Sequence, residues 1–196
     1  MFEQDLRTLS HVARWGTVRR LRDQNVAEHS YFVTVYAVQI ANRVGWKGDM
    51  AELMQWALVH DAPECFSGDI QGPTKRAVVD PDRMVAFEIA EMERRFPRSF
   101  LGEYIANQDV VHNDVKRIVK CADIADEAAY LAIEMSMGNA SVEDVYQLNV
   151  FPRLQAAWLA LPTDGKVDLQ MVWNTEVRPT FEDMITCNTR HMIKRV

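Results

Sequence analysis

Apolar residues recur along this chain at steps of three and four, the period of helices that bury one face. The first stripe is Leu6, Leu9, Val12 and Ala13, just ahead of Arg14 and Trp15. A longer one covers 30–44 through Phe32, Val35, Tyr36, Val38, Ile40 and Val44, and Gly45 supplies a stop. Asp49, with Glu52 three residues on, has capping-box spacing for a helix carrying Leu53, Trp56, Ala57 and Val59. That helix is expected to end between 63 and 68, and the two glycines and one proline within 66–73 predict a loop. Further helices are predicted over 81–96, 113–137 and 142–161. The second of these carries Val115, Ile118, Val119, Ala122, Ala125, Ala129 and Ile133 at helical steps and is long enough to be central. Residues 165–175 fit either a short helix or a loop, and a last short helix is predicted from about Thr180. Strand-type alternation is weak. The pattern therefore predicts an all-α, compact helical bundle, a single domain over 1–196 without repeats or linkers.

Composition narrows this without changing it. The 196 residues are 48% hydrophobic and 26% charged, ordinary globular values that exclude a disordered or fibrous chain. No apolar run approaches the length of a membrane helix, and no basic-then-apolar leader opens the sequence, so a cytoplasmic location is expected and no membrane partner. Net charge is −6, which argues against a nucleic-acid polymer as partner. Cys65, Cys121 and Cys187 are isolated, with neither a disulfide framework nor thiolate zinc spacing.

Candidate chemistry gathers at a few histidines and carboxylates. His29 lies at the start of a helix and reads alone as a cap or surface residue. His60 and Asp61 are adjacent and read alone as a helix-end pair; Glu64 follows one helical turn after His60. Asp123 interrupts the apolar run 118–129, where it either pairs with Lys120 or Arg117 or serves a site. Together, two imidazoles and two carboxylates from three helices make a four-ligand set for a divalent transition metal. Imidazole favours zinc, manganese, cobalt, nickel or iron over calcium, and no thiolate is present to suggest a structural zinc. There is no HExxH, Walker loop, GxGxxG or GxSxG. His11 and His112 read as structural, and His191 as part of a solvated basic tail.

A His, a His-Asp doublet and a distant Asp resemble the HD-domain phosphohydrolases. Six ordered blocks narrow the resemblance: Arg14-Trp15, Asn25-Val26-Ala27-Glu28-His29-Ser30, His60-Asp61-Ala62-Pro63-Glu64, Gly68-Asp69-Ile70, Pro73-Thr74-Lys75 and Lys120-Cys121-Ala122-Asp123. They are similar to the YfbR-type 5′-deoxynucleotidases and to small phage deoxynucleoside triphosphohydrolases, most clearly over 6–135. The resemblance implies that His29, His60, Asp61 and Asp123 hold one divalent metal, cobalt, manganese or zinc, with magnesium as an alternative. It implies that Glu64 activates or positions the attacking water, and that Asp69 acts in catalysis or contacts the substrate's sugar or phosphate side. Arg14 and Trp15 are implied to approach phosphate and deoxyribose, and Lys75 the phosphates. Gly16-Thr17 and Gln71-Gly72 depart from the usual pattern. A homo-oligomer is implied, in a bacterial cytoplasm or, for a phage protein, that of its host.

Local charge agrees with a phosphate ligand: five arginines and no carboxylate lie from Arg7 through Arg22 apart from the acidic whole. Arg14, Arg19 and Lys75 are the candidate phosphate-binding cations. Trp15 is expected to exclude a 2′-hydroxyl. The leading expectation is metal-dependent hydrolysis of a deoxynucleoside 5′-monophosphate. A dNTP triphosphohydrolase such as a dATPase is the first alternative, and a non-catalytic, metal-stabilised nucleotide-binding module the second.

Overall fold

The computed structural model describes residues 4–96 and 104–193, with side chains from 6 to 186 within those spans. Cys187 and His191 thus have side chains outside the described set. A 3-10 helix, Gln4–His11, leads by an irregular loop into α1 (Val26–Arg43), α2 (Met50–Val59), α3 (Glu64–Ser67), α4 (Gly72–Val78) and α5 (Pro81–Arg95). After these come α6 (Asn113–Ser136), α7 (Glu143–Val145), α8 (Phe151–Leu159), α9 (Leu169–Val172) and α10 (Arg178–Ile193). Among the described residues the only β pairing is an isolated bridge between Ala13 and Asn25. No described helix is long and apolar enough to cross a membrane.

The long helices form where the apolar period and the caps agree. Asn25 caps α1 by accepting from the Glu28 N–H, and Val26, Val33, Ala37, Ile40 and Ala41 turn inward. At the other end Gly45 takes φ +71°, its N–H reaching Asn42 while that of Trp46 reaches Ala41, a Schellman closure that a β-carbon would strain. Asp49 caps α2 through the N–H groups of Ala51 and Glu52. Glu52 does not close a capping box; its carboxylate accepts instead from the His112 N–H at 3.0 Å, pinning the entry to α6. α6 is the hub, packed against α1, α2, α8 and α10.

Three expectations need correction. The segment 66–73 is not all loop: α3 and α4 flank an irregular stretch at 68–71, because Pro73 suits the first turn of a helix, where its missing N–H costs nothing. The helix predicted over 142–161 is continuous but contains a π turn, Tyr146–Val150, closed by the Phe151 N–H on the Tyr146 carbonyl. Pro152 follows directly, and the wider turn accommodates a residue with no N–H for an ordinary α bond. A second π turn, Trp173–Val177, joins α9 to α10 ahead of Pro179. The last helix therefore starts at Arg178, has 16 residues, and is the end of one helical run from Leu169.

Candidate metal centre

The N-terminal loop is the first device that builds the site. Arg14 N–H donates to the Gln24 carbonyl and Val26 N–H to that of Val12, closing the loop against the start of α1. Its return leg is clamped from α6: Glu134, fully buried, accepts from the N–H groups of Leu21 at 2.7 Å and Arg22 at 2.8 Å, and Tyr130 donates its hydroxyl to the Arg22 carbonyl. Trp15 sits inside this loop at φ +62°, a conformation costing a bulky residue roughly 1–3 kcal/mol. Three contacts hold it there: its ring stacks on Tyr130, its carbonyl accepts from Arg20, and its indole N–H donates to Gln24.

α1, α2 and α6 then bring His29, His60, Asp61 and Asp123 together. His29 Nε2 lies 3.3 Å from Asp61 Oδ2 and 3.3 Å from Asp123 Oδ1, and His60 Nε2 lies 3.3 Å from the same Asp61 oxygen. Potential donor atoms of His29, His60 and Asp123 all fall within 4.8 Å of one another. Both imidazoles are oriented from behind. His29 Nδ1 faces Asp126 Oδ2 at 2.6 Å, and His60 Nδ1 faces the Ala57 carbonyl at 2.8 Å. Each Nδ1 therefore carries a proton, and Nε2 is the nitrogen that each ring turns to the site. Both Nε2 atoms are buried without a hydrogen-bond partner. Nitrogens this close to carboxylate oxygens need a shared cation, which a proton on His29 supplies in the metal-free fold and a divalent transition metal would supply to the whole set of two nitrogens and two carboxylates.

The proton affinities respond to the same crowding. Burial and the Arg14 guanidinium work against a charged His29, but the surrounding Asp123, Asp126 and Asp61 carboxylates outweigh them and hold its pKa well above the ordinary value. Burial opposes the charge on Asp61 and Asp123; His60 and His29 around the first, and Lys120 and His29 around the second, keep both well below the usual carboxylate range. Glu64 is the opposite case. Burial, then the Asp61 and Asp69 carboxylates, push it up to about 9.

His60, Asp61 and Asp123 floor a cavity of about 900 Å³, with His29 wholly buried beside them. Arg14, Trp15, Glu64, Asp69 and Lys75 all line it. Glu64 opens α3 rather than continuing α2, because the chain turns at His60 and Pro63 before helix resumes, yet both side chains reach the same space. Asp69 accepts from the Gln71 amide at 2.9 Å. Asp123 meets both readings offered by its sequence context: one oxygen faces His29 while the other accepts from Lys120 at 2.6 Å. Arg19 is not brought to this cavity. The turn after Trp15, closed by Val18 N–H on its carbonyl, carries Arg19 to a smaller recess with Arg20, Leu21, Asn139 and Ser141. Arg76, available in the sequence as a further cation for a triphosphate, lines the cavity as well; sequence reasoning missed Lys116 and Arg153, which also line it, and Gln24 and Asp126 behind His29. Lys116 could have been found by helical spacing, lying one turn before Lys120. Nothing local marks Gln24 or Asp126.

Residues 1–157 match the model of the family described as 5′-deoxynucleotidase YfbR-like. This chain belongs to the YfbR-like family. Its described elements are helical, as expected, and share the fold of HD-domain phosphohydrolase structures. A dATP triphosphohydrolase of Salmonella phage PMBT28 is 29% identical over 157 residues, covering 76% of this chain and 75% of the relative. The 5′-deoxynucleotidase YfbR of Escherichia coli is 27% identical over 140 residues, 69% of this chain and 64% of the relative. Among solved structures, the HD phosphohydrolase of cyanophage S-2L, bound to dA and one catalytic Zn²⁺, superposes with TM-score 0.67 at 20% identity, covering 100% of this chain and 99% of that one. An HD-domain phosphohydrolase from Listeria innocua superposes at 0.63, 20% identical, over 98% and 97% of the two chains. The fold is shared with both of these structures.

Proposed function

We propose that the protein hydrolyses the phosphate ester of deoxynucleoside 5′-phosphates with a divalent metal held by His29, His60, Asp61 and Asp123. The observation that carries this is the pair of unpartnered Nε2 atoms facing two carboxylates on the floor of a cavity whose walls are cationic. A bound divalent ion supplies a water acidified toward neutral pH and withdraws electron density from a phosphoryl oxygen. Glu64 is protonated in the metal-free fold; with a cation beside it favouring the carboxylate, it takes the proton of the attacking water at its own oxygen. The water oxygen bonds to phosphorus, the ester P–O bond breaks, and the departing nucleoside oxygen receives the proton that Glu64 took from the water, which returns Glu64 to its ionised form. Arg14 is 8% exposed, and its guanidinium stands 4.0 Å from Asp61 and 3.9 Å from Glu127, beyond good hydrogen-bond range, so its donors remain for phosphoryl oxygens. Lys75 faces the same charge from α4. Asp69 accepts from a sugar hydroxyl and Trp15 walls the deoxyribose in this reading, which their presence in the cavity lining supports.

A triphosphate substrate is the second reading, favoured by one observation. Of the cations lining the cavity, Lys120 is engaged by Asp123 and Arg153 by Glu127, but Lys75, Arg76 and Lys116 have no ion pair among the described residues. That is more positive charge than one phosphate requires. Dependence on this chain's relatives points both ways, since the phage proteins are named as dATP triphosphohydrolases and the bacterial ones as 5′-deoxynucleotidases. The deciding experiment measures phosphate and triphosphate release from all dNMPs, dNTPs and their ribonucleotide counterparts with Co²⁺, Mn²⁺, Zn²⁺ and Mg²⁺. Turnover of dNMPs supports the first reading, and triphosphate release from dNTPs alone replaces it with the second. No turnover of any deoxynucleotide with any metal refutes both.

A further inference from the structure

We propose that Gln24 is a positioning residue for the metal centre, tying the cavity-facing indole of Trp15 to His29 through Asp126. The inference rests on the proposed role of His29 as a ligand. Three hydrogen bonds compose the chain: Trp15 Nε1 to Gln24 Oε1 at 2.9 Å, Gln24 Nε2 to Asp126 Oδ2 at 2.8 Å, and His29 Nδ1 to that same oxygen at 2.6 Å. Gln24, Asp126 and His29 are 2%, 3% and 0% exposed, so solvent offers no alternative partners.

The chain has one possible polarity. An indole N–H only donates and an ionised carboxylate only accepts, so the amide must turn its oxygen to Trp15 and its nitrogen to Asp126. The carboxylate is then fixed by two donors, and His29 is fixed as the Nδ1–H tautomer with Nε2 aimed at the site. Without the amide, Asp126 keeps a buried lone pair unsatisfied and a free torsion, and the imidazole loses its fixed orientation. The chain thus couples the wall against which a nucleoside packs to the ligand beneath it. Its members come from the N-terminal loop, α1 and α6, so no single helix could hold this geometry.

The test is Co²⁺ affinity by chelator competition at fixed pH, measured beside the Tm of the metal-free protein. Gln24→Met, which keeps the length and removes both hydrogen bonds, should weaken Co²⁺ binding about tenfold. Trp15→Phe, which retains a ring against Tyr130 and loses the N–H, should weaken it by a smaller factor. In an Asp126→Asn background, Gln24→Met should add nothing, as expected for residues acting through one another. Unchanged Co²⁺ affinity in Gln24→Met, with or without a lower Tm, overturns the proposal and leaves Gln24 as a brace for the loop. So does a full, independent loss on top of Asp126→Asn. If Gln24→Met does not fold, Trp15→Phe decides, and wild-type affinity there overturns the proposal. A wild-type protein that binds no Co²⁺ overturns the ligand assignment itself, which separates that failure from this one.

Discussion

The two walls of the cavity are built on opposite terms. On the α1–α6 side Val26, Val33, Ala37 and Ala41 of one helix and Ile118, Ala122 and Ala128 of the other are wholly withdrawn from water, and His29 lies among them. On the α4 side no residue of the lining helix is buried, and α5, which follows it without reaching the cavity, buries only Met92. Both walls carry charge, but for different ends. Carboxylates and imidazoles that share an ion must be held where burial would otherwise expel them, and partners such as Asp126 and Lys120 do that. Cations that meet an incoming anion do better hydrated until it arrives, which is what exposed Lys75 and Arg76 provide. Substitution on the first wall should therefore damage metal retention, and on the second, substrate affinity alone.

The largest effect expected is on the buried wall. His60→Ala or Asp61→Ala should reduce turnover to background and co-purified metal to near zero, read by elemental analysis of the protein; retention of stoichiometric metal would dissolve the distinction between the walls. Glu64→Gln sits at the boundary between them. It should keep the metal while lowering kcat by about 10²–10⁴-fold, the usual reach of a general base. Near-wild-type kcat in that variant would remove Glu64 from the chemistry. Lys75→Ala tests the exposed wall. KM should rise about tenfold, with metal content and Tm unchanged, because no described side chain depends on Lys75 for a hydrogen bond or ion pair; loss of metal there would show the walls to be one unit.

What could be read in advance divides along the same line. One-sided burial leaves a period in the chain, so α1, α2 and α6 were legible, as was the cluster of His29, His60, Asp61 and Asp123, because a His-Asp doublet and a carboxylate in an apolar run are unusual in themselves. Proline 152 and 179 argue for breaks, and only the surrounding helical packing converts them into π turns. Gln24 and Asp126 meet across 102 residues, and Asp126 and His29 across 97, so neither pair leaves a local mark. Asp123 and Asp126 are one turn apart on α6, and spacing alone does not say which addresses the ion and which the back of an imidazole. Arg19 was misplaced for a related reason: an irregular loop has no periodic face, so adjacency to Trp15 does not carry over to the cavity.

Trp15 spans the comparison, since its ring belongs to the buried cluster while its edge lines the cavity. Trp15→Ala should narrow the ratio of deoxyribonucleotide to ribonucleotide turnover and also lower Tm, truncation of a buried Trp costing about 3–5 kcal/mol. An unchanged ratio with a lower Tm would confine Trp15 to packing.

The smallest effect is a change of slope, and it sharpens the boundary at Glu64. In the metal-free fold Glu64 titrates at about 9, raised by burial and by Asp61 and Asp69, while Arg14 and Lys75 oppose the shift. In the unfolded chain it titrates near ~4.3. Between those values the folded state holds a proton that the unfolded state has released, so stability falls as pH rises through the window. His29 acts in the same direction: its stabilising contribution is complete below the unfolded histidine value and is lost as pH climbs toward its raised folded one. Wild type and Glu64→Gln share the histidine and differ only in the titrating carboxyl. Metal-free Tm should therefore decline less steeply between pH 5 and 8 in the variant, leaving it more stable by a few degrees at the upper end. Restoring the metal should shrink that difference, because a nearby cation favours the ionised carboxylate and brings its folded and unfolded affinities closer. Equal slopes in the metal-free proteins would mean that Glu64 is solvated like the exposed wall, and the boundary would move to the other side of it.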